Sequence, residues 1–132
     1  MCIRDSPAMN ITITPQLTTS KVMITVNILG EWDRSRYNSL AYLRRTVNNV
    51  ETDILPPVDG NRNRGLGIFS ISDTNTNSSA AAPEVCNFNY IDEPNTTSEV
   101  RYDVLMVDDY LGPRTFYSVS YTHLTLPTKR IV

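Results

Sequence analysis

Alternation of apolar and polar residues with a period of two is the feature that most constrains how this chain can fold. It is clearest in residues 86–106, where two alternating runs flank the polar break Asp92-Glu93-Pro94-Asn95. The apolar positions are Cys86, Phe88 and Tyr90 in the first run and Val100, Tyr102, Val104 and Met106 in the second. Successive side chains of a strand point to opposite faces, so each run predicts a strand with one buried face. We interpret the stretch as an antiparallel pair joined by a polar turn.

The same alternation recurs along the chain and predicts about eight short strands separated by turns. The strongest is 21–29, where Val22, Ile24, Val26 and Ile28 share one face. The others are 10–14, 37–47, 50–55, 66–72 and a strand that begins at Thr115. Residues 37–47 also fit a helical spacing, but the turn signal Asn48-Asn49 favours a strand. The pattern predicts an all-β fold, an antiparallel β-sandwich that is jelly-roll-like.

The two ends of the chain are predicted to be translated sequencing adapter. Residues 1–5 can be encoded by ATG TGT ATA AGA GAC and residues 119–123 by GTC TCT TAT ACA CAT. These strings are reverse complements and resemble the inverted transposase end used in sequencing libraries, which has to be set aside before fold reasoning. We expect residues 1–6 and 118–132 to be adapter-derived and 7–117 to form one domain. His123, the only histidine, then falls outside it, and Cys86 has no disulfide partner.

Charge and composition exclude several classes of function. Within 7–117, one lysine and eight arginines stand against thirteen acidic residues, so the net charge of the domain is −4. A protein that binds nucleic acid normally gathers a basic face, so we expect no nucleic-acid partner. The apolar runs are far shorter than a membrane span, and we expect no membrane insertion. We predict no cofactor and no catalytic, cofactor-binding or metal-binding residue.

Five side chains are candidates for surface contact. Trp32 is the only tryptophan and lies in the polar stretch 30–36 with Arg34 and Arg36. Its ring either makes an exposed contact or folds back over the edge of the sheet. Arg62 and Arg64 stand beside Gly60, Gly65 and Gly67, but the spacing lacks the features of a phosphate-binding loop. A glycine-rich start to the next strand is the favoured interpretation.

Four carboxylates near predicted turns form a candidate calcium site. They are Asp92, Glu93, Asp108 and Asp109, and carboxylate oxygens are the ligands that calcium prefers. They would have to gather at one end of the sandwich to hold the ion. Carboxylates at turns are more often simply solvated, so both interpretations stay open at this point.

Several segments resemble a domain of tail-fibre and other virion structural proteins of marine bacteriophages. They are Ile13-Thr14-Pro15, residues 18–26, residues 88–98, Tyr102 and Thr115-Phe116-Tyr117. The resemblance implies a sandwich at the distal part of a fibre in the virion, trimeric, which binds a host-surface glycan or protein or decorates the particle. In that family the strand opened by Thr-Phe-Tyr continues and one more strand closes the domain. We therefore expect the domain to lack its last strand.

Two other classes of function compete with a non-enzymatic fibre domain. A secreted cellular adhesion or glycan-binding module of the same fold would be extracellular rather than part of a virion. A glycan depolymerase carried on a fibre is the enzymatic alternative. It is disfavoured because residues 7–117 contain no histidine and form only a small domain.

Overall fold

The computed structural model describes residues 2–32, 39–69, 84–108, 116–118 and 123–125, and the side chains within 9–30, 39–68 and 85–107. These residues form strands and connections, and no helix occurs among them. The strands are β1 (Cys2–Ile13), β2 (Val22–Trp32), β3 (Ser39–Val47), β4 (Val50–Ile54), β5 (Gly67–Phe69), β6 (Glu84–Asp92), β7 (Val100–Asp108), β8 (Phe116–Ser118) and β9 (His123–Thr125). The predicted all-β class is confirmed.

The strands form two antiparallel sheets that pack together as a β-sandwich, as the alternation predicted. The five-stranded sheet has the order β1-β7-β3-β4, and β5 also pairs with β3. The four-stranded sheet has the order β6-β2-β8, and β9 also pairs with β2. Strands that follow each other in sequence mostly change sheet, as β1, β2 and β3 do. The hairpin of β3 and β4 is the main local exception.

The core lies between the two sheets and is made by alternate residues of each strand. The β-branched face of β2, which comprises Val22, Ile24, Val26 and Ile28, is at most 5% exposed. The opposing sheet contributes four residues of β7, which are Val100, Tyr102, Val104 and Met106. Branched side chains fill the pleated surface with few rotamers to lose, which suits a buried strand face.

The prediction that residues 86–106 form one antiparallel pair was wrong. Both strands exist, but β6 pairs with β2 in the four-stranded sheet, whereas β7 pairs with β1 and β3 in the other. Residues 93–99 cross from one sheet to the other, a gap of roughly 10 Å. Alternation reports that a strand has one buried face, but it does not identify the strand's hydrogen-bonding partner. The two buried faces meet across the core instead of lying side by side.

The hairpin predicted at Asn48-Asn49 is confirmed. Strand β3 pairs with β4 from Leu43 opposite Ile54 to Val47 opposite Val50. Asn48 and Asn49 have φ angles of 48° and 63°. Positive φ at both central residues is what a type I′ turn requires, and asparagine tolerates it better than most residues. The alternative helix over 37–47 is excluded for residues 39–47.

Both segments predicted to be adapter-derived contribute residues to the sheets. Residues 2–5 of β1 pair with residues 105–108 of β7, and a bulge separates them from the pairing of residues 10–13. Residues 123–125 of β9 pair with 25–27 of β2. An open sheet edge accepts any extended segment, so this pairing is expected of a genomic segment and of a translated adapter alike.

Candidate functional site

The outer face of the five-stranded sheet carries a row of charged side chains across three strands. The register places Arg44 of β3 opposite Asp53 of β4 on one side and opposite Asp103 of β7 on the other. One step along the sheet, Thr46 lies opposite Glu51 and Arg101. These residues alternate along each strand with the core residues. Because successive side chains of a strand point to opposite faces, they lie on the face away from the core.

Ion pairs hold the side chains of this face in place. Nε of Arg44 donates to Oδ1 of Asp53 at 2.6 Å, and its Nη2 lies 3.2 Å from Oδ2. Nη1 of the same guanidinium lies 3.1 Å from Oε2 of Glu51. Arg101 donates from Nε and Nη2 to Oδ1 of Asp103 at 2.9 and 2.5 Å. The hydrogen bond to Asp53 raises the pKa of Arg44 above its ordinary value, so this guanidinium keeps its charge.

An open groove of about 280 Å³ runs between these side chains toward the tip of the β3–β4 hairpin. Its lining residues are Arg44, Thr46, Asn49, Glu51, Arg101, Asp103 and Leu105. Two guanidiniums and two carboxylates contribute, so the formal charges of the lining cancel. The hydroxyl of Thr46 and the amide of Asn49 add groups that both donate and accept hydrogen bonds. The groove therefore offers balanced polar contacts above one apolar side chain.

A small apolar cluster on the same face supports one end of the groove. Tyr42, Leu105 and Val107 are buried, and Leu55 packs against them. Burial raises the pKa of the Tyr42 phenol, and the nearby Asp53 carboxylate adds to the effect. Leu105 thus belongs both to this cluster and to the groove lining, which fixes the apolar part of the groove by packing.

A second polar cluster lies between the sheets. Asp92, at the end of β6, accepts from Nη1 of Arg45 at 2.9 Å on each carboxylate oxygen. It also accepts from the Tyr102 hydroxyl at 2.7 Å. Asp92 is 5% exposed, so its charge is held inside the protein by these partners. This cluster has little access to solvent and joins the sheets, which is a structural role.

None of the candidate contact residues that the structure describes is among the residues that line the groove. Arg62 and Arg64 lie in the connection between β4 and β5, where Arg62 pairs with Asp59 at 3.4 Å and Arg64 donates to the Pro56 carbonyl at 3.3 Å. Trp32 ends strand β2 opposite Phe116 rather than lying in a loop. Arg34 and Arg36 lie outside the described residues. Of these candidates, Arg62 and Arg64 thus share one connection, in which both make internal contacts.

The described carboxylates of the candidate calcium site do not assemble. The Asp92 carboxylate accepts hydrogen bonds from Arg45 and Tyr102, and Glu93 forms an ion pair with Lys21 at 2.6 Å. Asp108 ends β7 about 20 Å beyond Tyr102 at the usual rise of a strand, so it lies far from Asp92. Asp109 is outside the described residues. Within the part of the chain that the structure describes, no three of His, Cys, Asp and Glu group as metal ligands.

Sequence reasoning missed the groove because its residues come from three strands. Within one strand the signal was present, since Arg44 and Thr46 are two apart, as are Glu51 and Asp53. The turn at Asn48-Asn49 also sets the register of β3 against β4. The approach of β7 to β3 was not predictable in this way, because the two strands are far apart in sequence.

No protein-family model, no curated protein and no solved structure matches this chain. In the described ranges, no helix has the length and apolar character to cross a bilayer.

Proposed function

We propose that this domain is a non-enzymatic structural domain of a phage virion, of tail-fibre type, that attaches to a host surface or decorates the particle. One observation carries the attachment role: an ordered sheet displays a groove with donors and acceptors already held in place by ion pairs. Side chains fixed before binding lose less conformational entropy when a ligand arrives. The resemblance to marine phage fibre domains supports a location in the virion. The alternative is an extracellular adhesion module.

The pairing of the acidic residues favours attachment over catalysis. Glycoside cleavage by two carboxylates needs one protonated acid and one free base flanking the bond. Here the two lining carboxylates, Glu51 and Asp103, each contact a guanidinium. Both carboxylates therefore serve as ion-pair partners of arginines on this face. This supports a role in binding.

A trimeric assembly and a jelly-roll connectivity belong to the same proposal. The runs β1 to β3 and β5 to β8 alternate between the two sheets, which is the kind of path that a jelly roll takes. The groove is open and smaller than most ligand pockets, which span roughly 300–1,000 Å³, so a single copy is expected to bind weakly. Three copies on one fibre would raise the avidity without any new contact.

The test is adsorption of the labelled full chain to cells. We would express residues 1–132 on a trimerising scaffold and measure binding to a panel of marine bacterial isolates by flow cytometry. Saturable binding to some isolates and not others supports attachment. Folded trimer that binds none of them would count against it. Release of soluble sugar from the bound cells would instead favour the depolymerase.

A further inference from the structure

We infer that the groove lined by Arg44, Thr46, Asn49, Glu51, Arg101, Asp103 and Leu105 is a binding site for a neutral, polyhydroxylated ligand, a saccharide unit of a surface polymer. This inference rests on the proposed attachment function and names the ligand class and the place where it binds. It also moves the contact surface away from Trp32, Arg62 and Arg64, where the sequence had placed it.

The charge of the lining selects for a neutral ligand. Two guanidiniums and two carboxylates alternate around the groove, and each already has a partner of opposite charge. An anionic ligand would approach Glu51 and Asp103 at close range, and a cationic one would approach Arg44 and Arg101. Like charges brought together in this way are repulsive, whereas hydroxyl groups meet no such penalty. Neutral ligands therefore fit this groove better than charged ones.

Hydrogen-bonding groups remain available after the internal ion pairs are made. Arg101 uses Nε and Nη2 on Asp103, which leaves Nη1 as a donor, and its side chain is 47% exposed. Glu51 contacts Arg44 through Oε2, which leaves Oε1 as an acceptor, and its side chain is 60% exposed. Vicinal hydroxyls of a sugar ring are donors and acceptors a short distance apart. They can therefore pair with such a mixed set on one surface.

The groove also has a fixed shape. Leu105 is 1% exposed and packed in the Tyr42 cluster, so the floor of the groove is fixed in position by packing. Arg44 is held by two carboxylates of β4, those of Asp53 and Glu51. With the hairpin turn closing one end, the small open volume suits one or two sugar rings at the surface of a longer chain.

The test is solution NMR on the full 132-residue chain, labelled with nitrogen-15. The probes are neutral oligosaccharides of glucose, galactose, mannose and N-acetylglucosamine, with sulfated and sialylated oligosaccharides as the charged set. We expect at least one neutral probe to give saturable shifts at Thr46, Asn49 and the Arg101 side chain, and the charged set to bind more weakly. Shifts confined to residues outside the groove, or preference for the charged set, would overturn the inference.

Two groove variants and one matched control test whether the groove is the saccharide-binding site. R101A removes the available donor, and N49G removes an amide while keeping a residue that accepts positive φ. Each should weaken saccharide binding by about three- to tenfold, the usual effect of one hydrogen bond. R62A, which removes an exposed arginine outside the groove, should leave binding unchanged. Equal binding by all three variants with unchanged melting temperatures would overturn the site.

Cell adsorption separates this inference from the function on which it rests. If the chain adsorbs to cells and R101A and N49G adsorb equally well, attachment stands and the groove is not its site. If neutral saccharides bind the groove but no cell is bound, the site stands and the attachment role fails. Loss of adsorption in both groove variants, with R62A unchanged, supports both.

Discussion

The Tyr102 hydroxyl donates a 2.7 Å hydrogen bond to Oδ2 of Asp92, and this contact links the five-stranded sheet to the four-stranded one. Tyr102 is fully buried and Asp92 nearly so. Arg45 completes the arrangement by donating to both oxygens of the same carboxylate. A carboxylate buried with these partners ties the two halves of the sandwich in one orientation.

Removal of this contact should lower the free energy of unfolding. We expect Y102F to lose about 1.5–3 kcal/mol, the usual contribution of a hydrogen bond to a charged group. D92A should lose about 3–5 kcal/mol because it leaves the Arg45 charge without its buried partner. Urea unfolding followed by circular dichroism measures both. The exposed pair of Arg62 and Asp59 gives the control, and D59N should change stability by less than about 0.5 kcal/mol. A Y102F variant as stable as the parent chain would show that the contact does not hold the sheets together.

The free energy of unfolding should fall in alkaline solution, because the pKa values of a buried thiol and a buried phenol are raised. Burial raises the pKa of Cys86 to about 11 from an ordinary value of 9.0. Burial, and then the hydrogen bond to Asp92, raises the pKa of Tyr102 above its ordinary 10.0. A folded-state pKa above the unfolded value gives stability that is complete below the unfolded pKa and is lost as pH rises toward the folded one. The loss should begin near pH 9.

Urea midpoints measured from pH 7 to pH 10.5 test this pH dependence. The Cys86 part alone should amount to on the order of 2 kcal/mol, since each pKa unit corresponds to about 1.4 kcal/mol. C86A, although less stable at pH 7, should show a shallower fall between pH 9 and pH 10. An unchanged slope in C86A would contradict the role assigned to the thiol.

The stability of variants in the β3–β4 turn should depend on how well the substituted residue tolerates a positive φ. Asn49 has a φ of 63°, a region that costs most L-residues about 1–2 kcal/mol. N49G should be as stable as the parent chain, whereas N49V should lose at least 1–2 kcal/mol because its branched side chain fits that region poorly. Thermal unfolding of the two variants gives the comparison. Similar melting temperatures would mean that the turn relaxes to another type.

Gly67 permits β5 to lie against β6, and a methyl group added at this position should destabilise the fold. A Cβ at this position would overlap Sγ of Cys86 and lie 2.7 Å from Cδ1 of Phe88. G67A should therefore lose about 1–3 kcal/mol, the usual effect of overpacking. The double variant G67A/C86A should lose less than the sum of its single changes, because removal of the sulfur opens space. Strict additivity in chemical unfolding would rule out the overlap.

Resequencing of the source DNA with adapters trimmed tests the origin of residues 1–6 and 118–132. We expect the reading frame to continue beyond Pro7 and Tyr117 into codons unrelated to the present ends, with a further apolar strand. Residues 123–125 would then occupy on β2 an edge that belongs to another segment. If both ends prove to be genomic, His123 becomes a candidate functional residue, and catalysis has to be considered again.

The sequence by itself determined the all-β class, most strand positions and the β3–β4 hairpin. These features depend on local rules: a period of two for a half-buried strand, and asparagine at positive φ for a tight turn. The turn also sets the register that places Arg44 opposite Asp53, a pair that the sequence analysis did not name. Nothing beyond neighbouring residues was needed for these predictions.

Only the tertiary structure decided which strands share a sheet. Residues 86–92 and 100–108 were predicted to pair with each other, yet they lie in opposite sheets and meet through Asp92 and Tyr102. Likewise, Arg101 reaches the groove only because β7 inserts beside β3, more than fifty positions away in sequence. Alternation fixes which face of a strand is buried, but every strand of a sandwich has such a face. The choice of partner depends on how all these faces pack at once, which is a property of the whole chain.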